Sequence, residues 1–443
     1  MKRDIFQVLL DWKAGSNRKP ILMRGARQVG KSWLAKELGK TFPSYVEVNF
    51  ERNPEICGLF QGDLEPRSLC RSLTDYLGKE IIAGQSLLFL DEIQNCPRAI
   101  TALRYFYEEM PELHVISAGS LLEFELRNIS IPVGRIHFIQ VYPLSFAEFL
   151  EAGGNGRMRD MLLENHYAPL QKPFHEKLLS EVKNYCITGG MPEVVQNHVN
   201  GAGLEKCLEL QIDILHTLRT DFHKYARESQ LKYMEQVFNS IPLQLGGKFK
   251  YSSISLDTRS KFYREALTLL EMAGLAYRVY HSSANRIPLG AEMNPDKFKV
   301  LLFDIGLAQR LMKLDYKSLL LKTDLLQVNH GTMAELFVGL ELIAYADFRQ
   351  APSLFYWHRE AKSSNAEVDY VISINERVIP VEVKSGTTGR MKSLRLFMEQ
   401  KKSSAGIRIC ASGFALEQNI QSIPLYAVEA LIKNRTELPI CIF

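Results

Sequence analysis

Gly25-Ala26-Arg27-Gln28-Val29-Gly30-Lys31-Ser32 fits the spacing G-x-x-x-x-G-K-[ST]. The two glycines let backbone N–H groups turn inward around phosphate oxygens. Lys31 would reach the β- and γ-phosphates of ATP, and Ser32 would hold Mg²⁺. About sixty residues on stands an acidic pair, Asp91-Glu92. Asp91 would coordinate the Mg²⁺ through water, and Glu92 would orient and polarise the attacking water. A second set lies far downstream: Asp369, then Glu382 and Lys384 at i, i+2. Two carboxylates beside a lysine suit a hard divalent ion and phosphodiester hydrolysis, with the lysine stabilising charge or placing the nucleophile. Glu335 is a further candidate metal ligand on a helix before them. Glu341 competes with it for that role.

These residues need elements to position them. Ile21-Leu22-Met23 reads as a short buried strand before the first loop, and Ser32 to Lys40 as a helix after it, with Leu34 and Leu38 on one face. The helix N-terminus adds partial positive charge where phosphates would sit. Tyr45 to Phe50 reads as an alternating strand. Ser86 to Leu90 is a nearly continuous apolar run, as a buried parallel strand should be, and ends in Asp91. Ligands gather outside the carboxyl ends of such strands. His114 to Ser120 is the next strand. Ser120 or Ser117 at its end could sense the γ-phosphate, or could simply belong to a turn. Arg135 precedes a fifth strand, Ile136 to Val141. It could stabilise charge on the transferred phosphoryl group from a neighbouring subunit, or face solvent.

Residues from about 146 to 240 read as helices, through Phe146, Phe149 and Leu150 and through Leu208, Ile212, Leu215 and Leu218. They would form a lid over the nucleotide. Arg219 and Asp221 could sense nucleotide, but a solvated helix face is the plainer reading. Further on come a helix around Tyr233-Met234-Phe238, a second capped at Ser252-Ser253, and a third from Thr258 to Ala273 ended by Gly274. Then comes the strand Leu275 to Tyr280. Three helices and a hairpin suit a winged helix-turn-helix, with Lys248, Lys250, Arg259, Lys261 and Arg264 available for phosphate contact, or a fold that packs against its neighbours and touches no DNA. Near the C-terminus a helix (333–345) is followed by two strands, Glu367 to Ile372 and Ile379 to Lys384, joined through Asn375-Glu376-Arg377. Glu382 and Lys384 share one strand face, Val381 and Val383 the other. Asp369 would sit opposite them. The plainer reading is a surface hairpin with a Glu382/Lys384 pair and no metal. Arg390, Lys392, Arg395, Lys401 and Lys402 follow. They could meet a phosphate backbone or form an ordinary solvated face.

The phosphate loop, Leu90-Asp91-Glu92-Ile93-Gln94, Ala118-Gly119-Ser120, Gly134-Arg135 and Tyr142 to Phe149 together resemble the prokaryotic AAA-type ATPases known only as ATP-binding proteins. The resemblance continues in Thr188 to Glu193, Arg219-Thr220-Asp221, Phe303 to Leu307 and Gly331 to Glu335, and so spans almost the whole chain. It implies ATP and Mg²⁺ as cofactors and a C-terminal half of unknown function. Asp369, Glu382 and Lys384 also resemble the PD-(D/E)-x-K nucleases, with Val368 standing where that pattern has proline.

The rest of the sequence sets bounds. At 443 residues, two to four domains are expected. A formal charge of +4 permits local nucleic-acid patches without requiring them. No apolar run of about 18 residues and no signal-peptide core are present, so no membrane partner is expected. Seven scattered cysteines, with no C-x-x-C, suggest unpaired thiols and a cytoplasmic setting rather than a disulfide framework or a zinc site. The expected architecture is α/β. Residues 1–150 would form an AAA+-type parallel sheet with a P-loop, 151–229 a helical lid, 230–295 a winged-helix-like domain and 296–443 a restriction-endonuclease-like α/β domain. The expected activity is ATP-driven handling of nucleic acid, DNA first, with metal-dependent cleavage, in defence against foreign DNA, and with homo-oligomers in view. The rival from another class is a nucleotide-dependent switch or scaffold for protein partners that keeps an inactive nuclease fold.

Overall fold

The structure is a computed structural model and describes residues 1–119, 134–256, 259–313, 331–360, 366–386, 391–435 and 438. Its first sheet holds β1 (Ile21–Arg24), β2 (Ser44–Asn49), β3 (Ser86–Asp91), β4 (His114–Ala118) and β5 (His137–Gln140). The order is β2-β3-β4-β1-β5, and every pairing is parallel. A parallel sheet is covered on both faces, which is why β3 is buried from end to end. The period-2 alternation sorts its side chains. Leu87 and Phe89 pack with Leu34 and Leu38 of the Lys31–Gly39 helix. Leu88 and Leu90 pack on the other face with Leu69, Leu73, Leu103 and Phe106 of the Pro66–Leu77 and Pro97–Glu109 helices.

Helices dominate from Phe146 to Ser240, the longest being Leu204–Tyr225. The middle segment departs from the expected three helices. Tyr251–Ser253 is a single 3₁₀ turn, and the following helix starts at Ser260 and ends at Met272. Gly274 then turns the chain into β6 (Ala276–Ser282), which pairs antiparallel with β7 (Met293–Leu302). This hairpin is not free-standing. β6 also pairs in parallel with β8 (Leu354–His358). β9 (Glu367–Ile374), β10 (Arg377–Val383), β11 (Gly406–Cys410), β12 (Ala415–Glu417) and β13 (Ile420–Pro424) complete an eight-stranded sheet of order β12-β13-β11-β10-β9-β8-β6-β7. Residue 295, the boundary read from the sequence, therefore lies inside β7. One apolar core runs from the first sheet through the helices into this second sheet.

Asn375 and Glu376 both take positive φ between β9 and β10, as a two-residue hairpin turn requires. Cys57 and Cys96 form a disulfide, contrary to the expectation of unpaired thiols throughout. They are 39 residues apart, with nothing local to pair them. Cys70, Cys186, Cys207 and Cys410 are free and buried.

Glu341 joins the two halves. Both of its carboxylate oxygens accept from the Phe146 backbone N–H, at 3.0 and 3.1 Å, and Tyr345 Oη donates to it. Burial pushes its carboxyl up to about 8. A folded-state value above the unfolded one means that folding favours the protonated form. That contribution is complete below the unfolded value of about 4.3 and is lost as pH rises through about 8. Glu341→Gln should therefore gain on the wild type between pH 5 and pH 8, by roughly 1–3 kcal/mol at the upper end. Thermal melts across that range check it. A difference independent of pH would show that Glu341 is not the group responsible.

Candidate active sites

The first site is built where β1 gives way to the Lys31–Gly39 helix. Gly25 has φ 136°, and a Cβ there would come within 2.1 Å of the Val141 carbonyl oxygen, so only glycine fits. Gly30 has φ 98°, and Gln28 also lies at positive φ. Lys31 is 8% exposed, and its ammonium donates to the carbonyls of Gly25 (2.9 Å) and Ala26 (2.7 Å). Burial lowers its pKa to about 8, against the pull of Glu92 and Asp91. The loop thus holds the ammonium at its own centre, ready for phosphate. Ser32 Oγ donates to Asp91 at 3.1 and 3.2 Å. Asn49 Nδ2 donates to the same carboxylate at 3.2 Å. Burial, and then the neighbouring Glu92, push the Asp91 carboxyl up. A divalent cation would relieve that cost. Hard oxygen donors beside a buried ammonium fit Mg²⁺ and a triphosphate. Glu92 stands at φ 50° next to them, held by Gln94 Nε2 at 2.6 Å.

Three supports for this loop come from far away in sequence. Arg3, nearly buried, donates to the Val29 carbonyl at 3.0 Å, to Tyr142 O at 2.7 Å and to Glu148 at 3.1 Å. Asp221 is buried and ion-paired with Arg27 of the loop, which corrects the solvated-face reading. Lys224 and Arg27 both meet Glu51, at 3.1 and 3.7 Å. Gly274 backs onto the loop so closely that a Cβ would sit 3.0 Å from the Ala26 nitrogen. Arg219 instead donates to Asn239, at 2.9 Å.

Ser117 is buried and donates to the Ile21 carbonyl at 2.9 Å. It stitches β4 to β1 and is not free to sense phosphate. Ser120 lies outside the described residues. Arg135 precedes β5, whose His137 pairs with Ile21 at the start of β1. It therefore sits at the end of the sheet opposite its own phosphate loop. Its side chain is 44% exposed and bonded to Glu108 at 2.7 Å.

The second site centres on a residue that sequence reasoning passed over. Lys299 on β7 is 1% exposed. Its ammonium lies 2.7 Å from Glu335, 2.6 Å from Glu367 and 3.9 Å from Asp369. Burial opposes its charge, but Glu335, Asp369 and Glu367 outweigh that and hold its pKa above the usual lysine value. Burial pushes Glu335 up to about 7 despite Lys299. β9 and β10 pair with Tyr370 opposite Val381, so Asp369 falls beside Glu382 as expected. Asp369 accepts from the Val383 N–H at 2.7 Å. Lys384 bonds Glu382 at 2.6 Å, while the other oxygen of Glu382 is buried without a hydrogen-bond partner. Glu335 is thus the helix acid of this site, and Glu341 is not.

The structure sets a cation of its own against Glu335 and Asp369. Among the described residues, Glu335, Asp369 and Glu382 do not converge as a set of three as their side chains stand. The acids gather around Lys299 instead, and its ammonium supplies the positive charge. As folded, the Lys299 ammonium occupies the place between Glu335 and Glu367. A lysine opening the apolar run 299–302 looks like a strand flank, and only the fold reveals its partners.

Residues 17–150 match a family described as an AAA domain. Residues 179–318 and 330–428 match two families described as domains of unknown function, DUF8612 and DUF4143. No curated protein matches the chain. Among solved structures, a Walker-type ATPase of Pyrococcus abyssi aligns at 14% identity, over 70% of this chain and 95% of that one, with a TM-score of 0.44. The ORC1 protein of Aeropyrum pernix in complex with DNA aligns at 13% identity, over 72% and 92%, with a TM-score of 0.27. The Pif1 helicase from Candida albicans aligns at 13% identity, over 40% and 47%, with a TM-score of 0.23. Among the described residues no helix is long and apolar enough to cross a membrane.

Proposed function

We propose that this chain, an AAA-type P-loop ATPase followed by two domains of unknown function, uses ATP hydrolysis to act on nucleic acid, DNA first. The observation that carries the ATPase part is the Lys31 ammonium cradled by the Gly25–Gly30 loop beside the Ser32–Asp91 pair. The backbone amides of the loop and Lys31 hold the phosphates. Ser32 and Asp91 hold the metal. ATP with Mg²⁺, when bound, supplies the phosphoryl group to be transferred. Glu92 orients and polarises the attacking water, and Ser120 is assigned to hydrogen-bonding at the γ-phosphate. Exposed Lys248, Lys250, Arg259, Lys261 and Arg264 on the winged-helix-like segment, with exposed Lys392, Arg395 and Lys402 and half-buried Lys401 near the C-terminus, support phosphate contact. DNA added to the purified protein should raise the ATP turnover several-fold in low salt, and the effect should fade as salt rises. No stimulation by DNA or RNA would remove nucleic acid from the reading.

Lys299 favours the second reading, a nucleotide-dependent switch or scaffold for protein partners on a nuclease-like fold that does not cut. On that reading, Mg²⁺ or Mn²⁺ produces no cleavage of single- or double-stranded DNA. Cleavage abolished by Asp369→Asn, Glu382→Gln or Lys384→Ala would restore the nuclease.

Arg135 faces away from its own loop and is proposed to act across a subunit interface. Mixing inactive Arg135→Ala with inactive Lys31→Ala should then recover part of the ATPase rate, because one intact interface forms. A protein that stays monomeric with every nucleotide, with no recovery on mixing, would refute the assignment.

A further inference from the structure

His281 ends the register of β6 against β8, opposite Tyr356. His358 lies two residues further along β8. The two imidazoles stand 4.4 Å apart between ring centres, tilted by 40°. Glu360 follows, and one ligand atom from each of the three lies within 4.8 Å of the others. His281 is 2% exposed.

Their tautomers follow from their partners. His281 Nε2 faces the His358 carbonyl at 3.3 Å. His358 Nδ1 faces the Arg359 carbonyl at 3.1 Å. A carbonyl only accepts, so each of these nitrogens carries the hydrogen. The lone pairs are left on His281 Nδ1 and His358 Nε2. The latter is buried and has no hydrogen-bond partner among the described residues, so its lone pair is open to a ligand. An imidazole whose far N–H is pinned to a carbonyl is the arrangement found behind metal-ligating histidines.

We propose that His281, His358 and Glu360 bind one divalent transition-metal ion of the Zn²⁺ class. Two imidazoles and one carboxylate select a borderline cation such as Zn²⁺ or Co²⁺ over Mg²⁺. Glu360 is exposed and paired with Lys297 at 2.6 Å, a contact that one carboxylate oxygen can keep while the other turns to the ion. The site ties β6 to β8. Because β6 starts just after Gly274, which backs the phosphate loop, the ion would brace the edge of the second sheet that adjoins the loop. The inference is independent of whether the chain acts on nucleic acid.

The test is a Co²⁺ titration of the full chain after chelator dialysis, read by visible ligand-field absorption, with Zn²⁺ as competitor. The wild type should take up one equivalent, displaced by Zn²⁺. His358→Ala and Glu360→Gln should weaken binding by about 100-fold and at least 10-fold respectively. Asp369→Asn should leave it unchanged, which separates this site from the acid cluster around Lys299. Glu360 is exposed, so its variant should fold even if His281→Ala does not. No Co²⁺ uptake by the wild type at millimolar concentration overturns the proposal. So does uptake that His358→Ala and Glu360→Gln leave intact, because the ion would then be held elsewhere.

Discussion

Lys31→Ala should lose nearly all ATP hydrolysis, with the loss appearing first in nucleotide affinity. The ammonium sits among the loop carbonyls of Gly25 and Ala26, at the centre of the cradle. Its removal leaves the phosphates to the backbone amides and the helix end alone. Glu92→Gln should behave differently. Binding should persist, because Ser32, Asp91 and Lys31 are untouched. Turnover should fall about 10²–10⁴-fold, the typical contribution of a positioned general base. The comparison checks the roles as well as the importance of the residues. Fluorescent-nucleotide binding and single-turnover hydrolysis on the two variants give the answer. A Glu92→Gln protein that hydrolyses ATP at the wild-type rate would show that the water is activated by another group.

The phosphate loop was legible in the sequence because its geometry is local. Eight consecutive residues, a strand before and a helix after carry all the information, and the β3 tip at Asp91 adds the second half. The Asp369–Glu382 pairing was legible for the same reason, since a two-residue turn at Asn375-Glu376 sets the register. What the sequence hid was always a contact between distant segments. Arg3 looks like the start of an amphipathic helix until Val29 and Tyr142 come to it. Asp221 looks solvated until Arg27 covers it. The β6–β7 hairpin looks like a self-contained wing, because antiparallel pairing is local and the parallel β6–β8 pairing is not. The second site was legible only in part. The acids were found, but the cation among them comes from a strand that sequence reading had divided at residue 295.

Lys299→Met should therefore have the largest effect on stability of any single change proposed for this chain. It keeps the aliphatic volume and removes only the charge. Glu335, Glu367 and Asp369 would remain together with no cation at their centre. Removing one partner of a buried ion pair costs about 3–5 kcal/mol, because the other is left uncompensated. The pH dependence separates this cause from lost packing. Burial already raises the Glu335 and Asp369 carboxyls, and losing the lysine raises them further. Groups raised on folding contribute stability below their unfolded pKa and lose it as pH rises through the folded one. The deficit of Lys299→Met should thus be small near pH 5 and grow toward pH 8. Adding Glu335→Gln to the variant should recover part of it, since one of the stranded charges is gone. Urea denaturation of the single and double variants at both pH values measures all three quantities. A Lys299→Met protein within about 1 kcal/mol of wild type at pH 8 would mean that the acids are already protonated or solvated. Lys299 would then not be what holds them together.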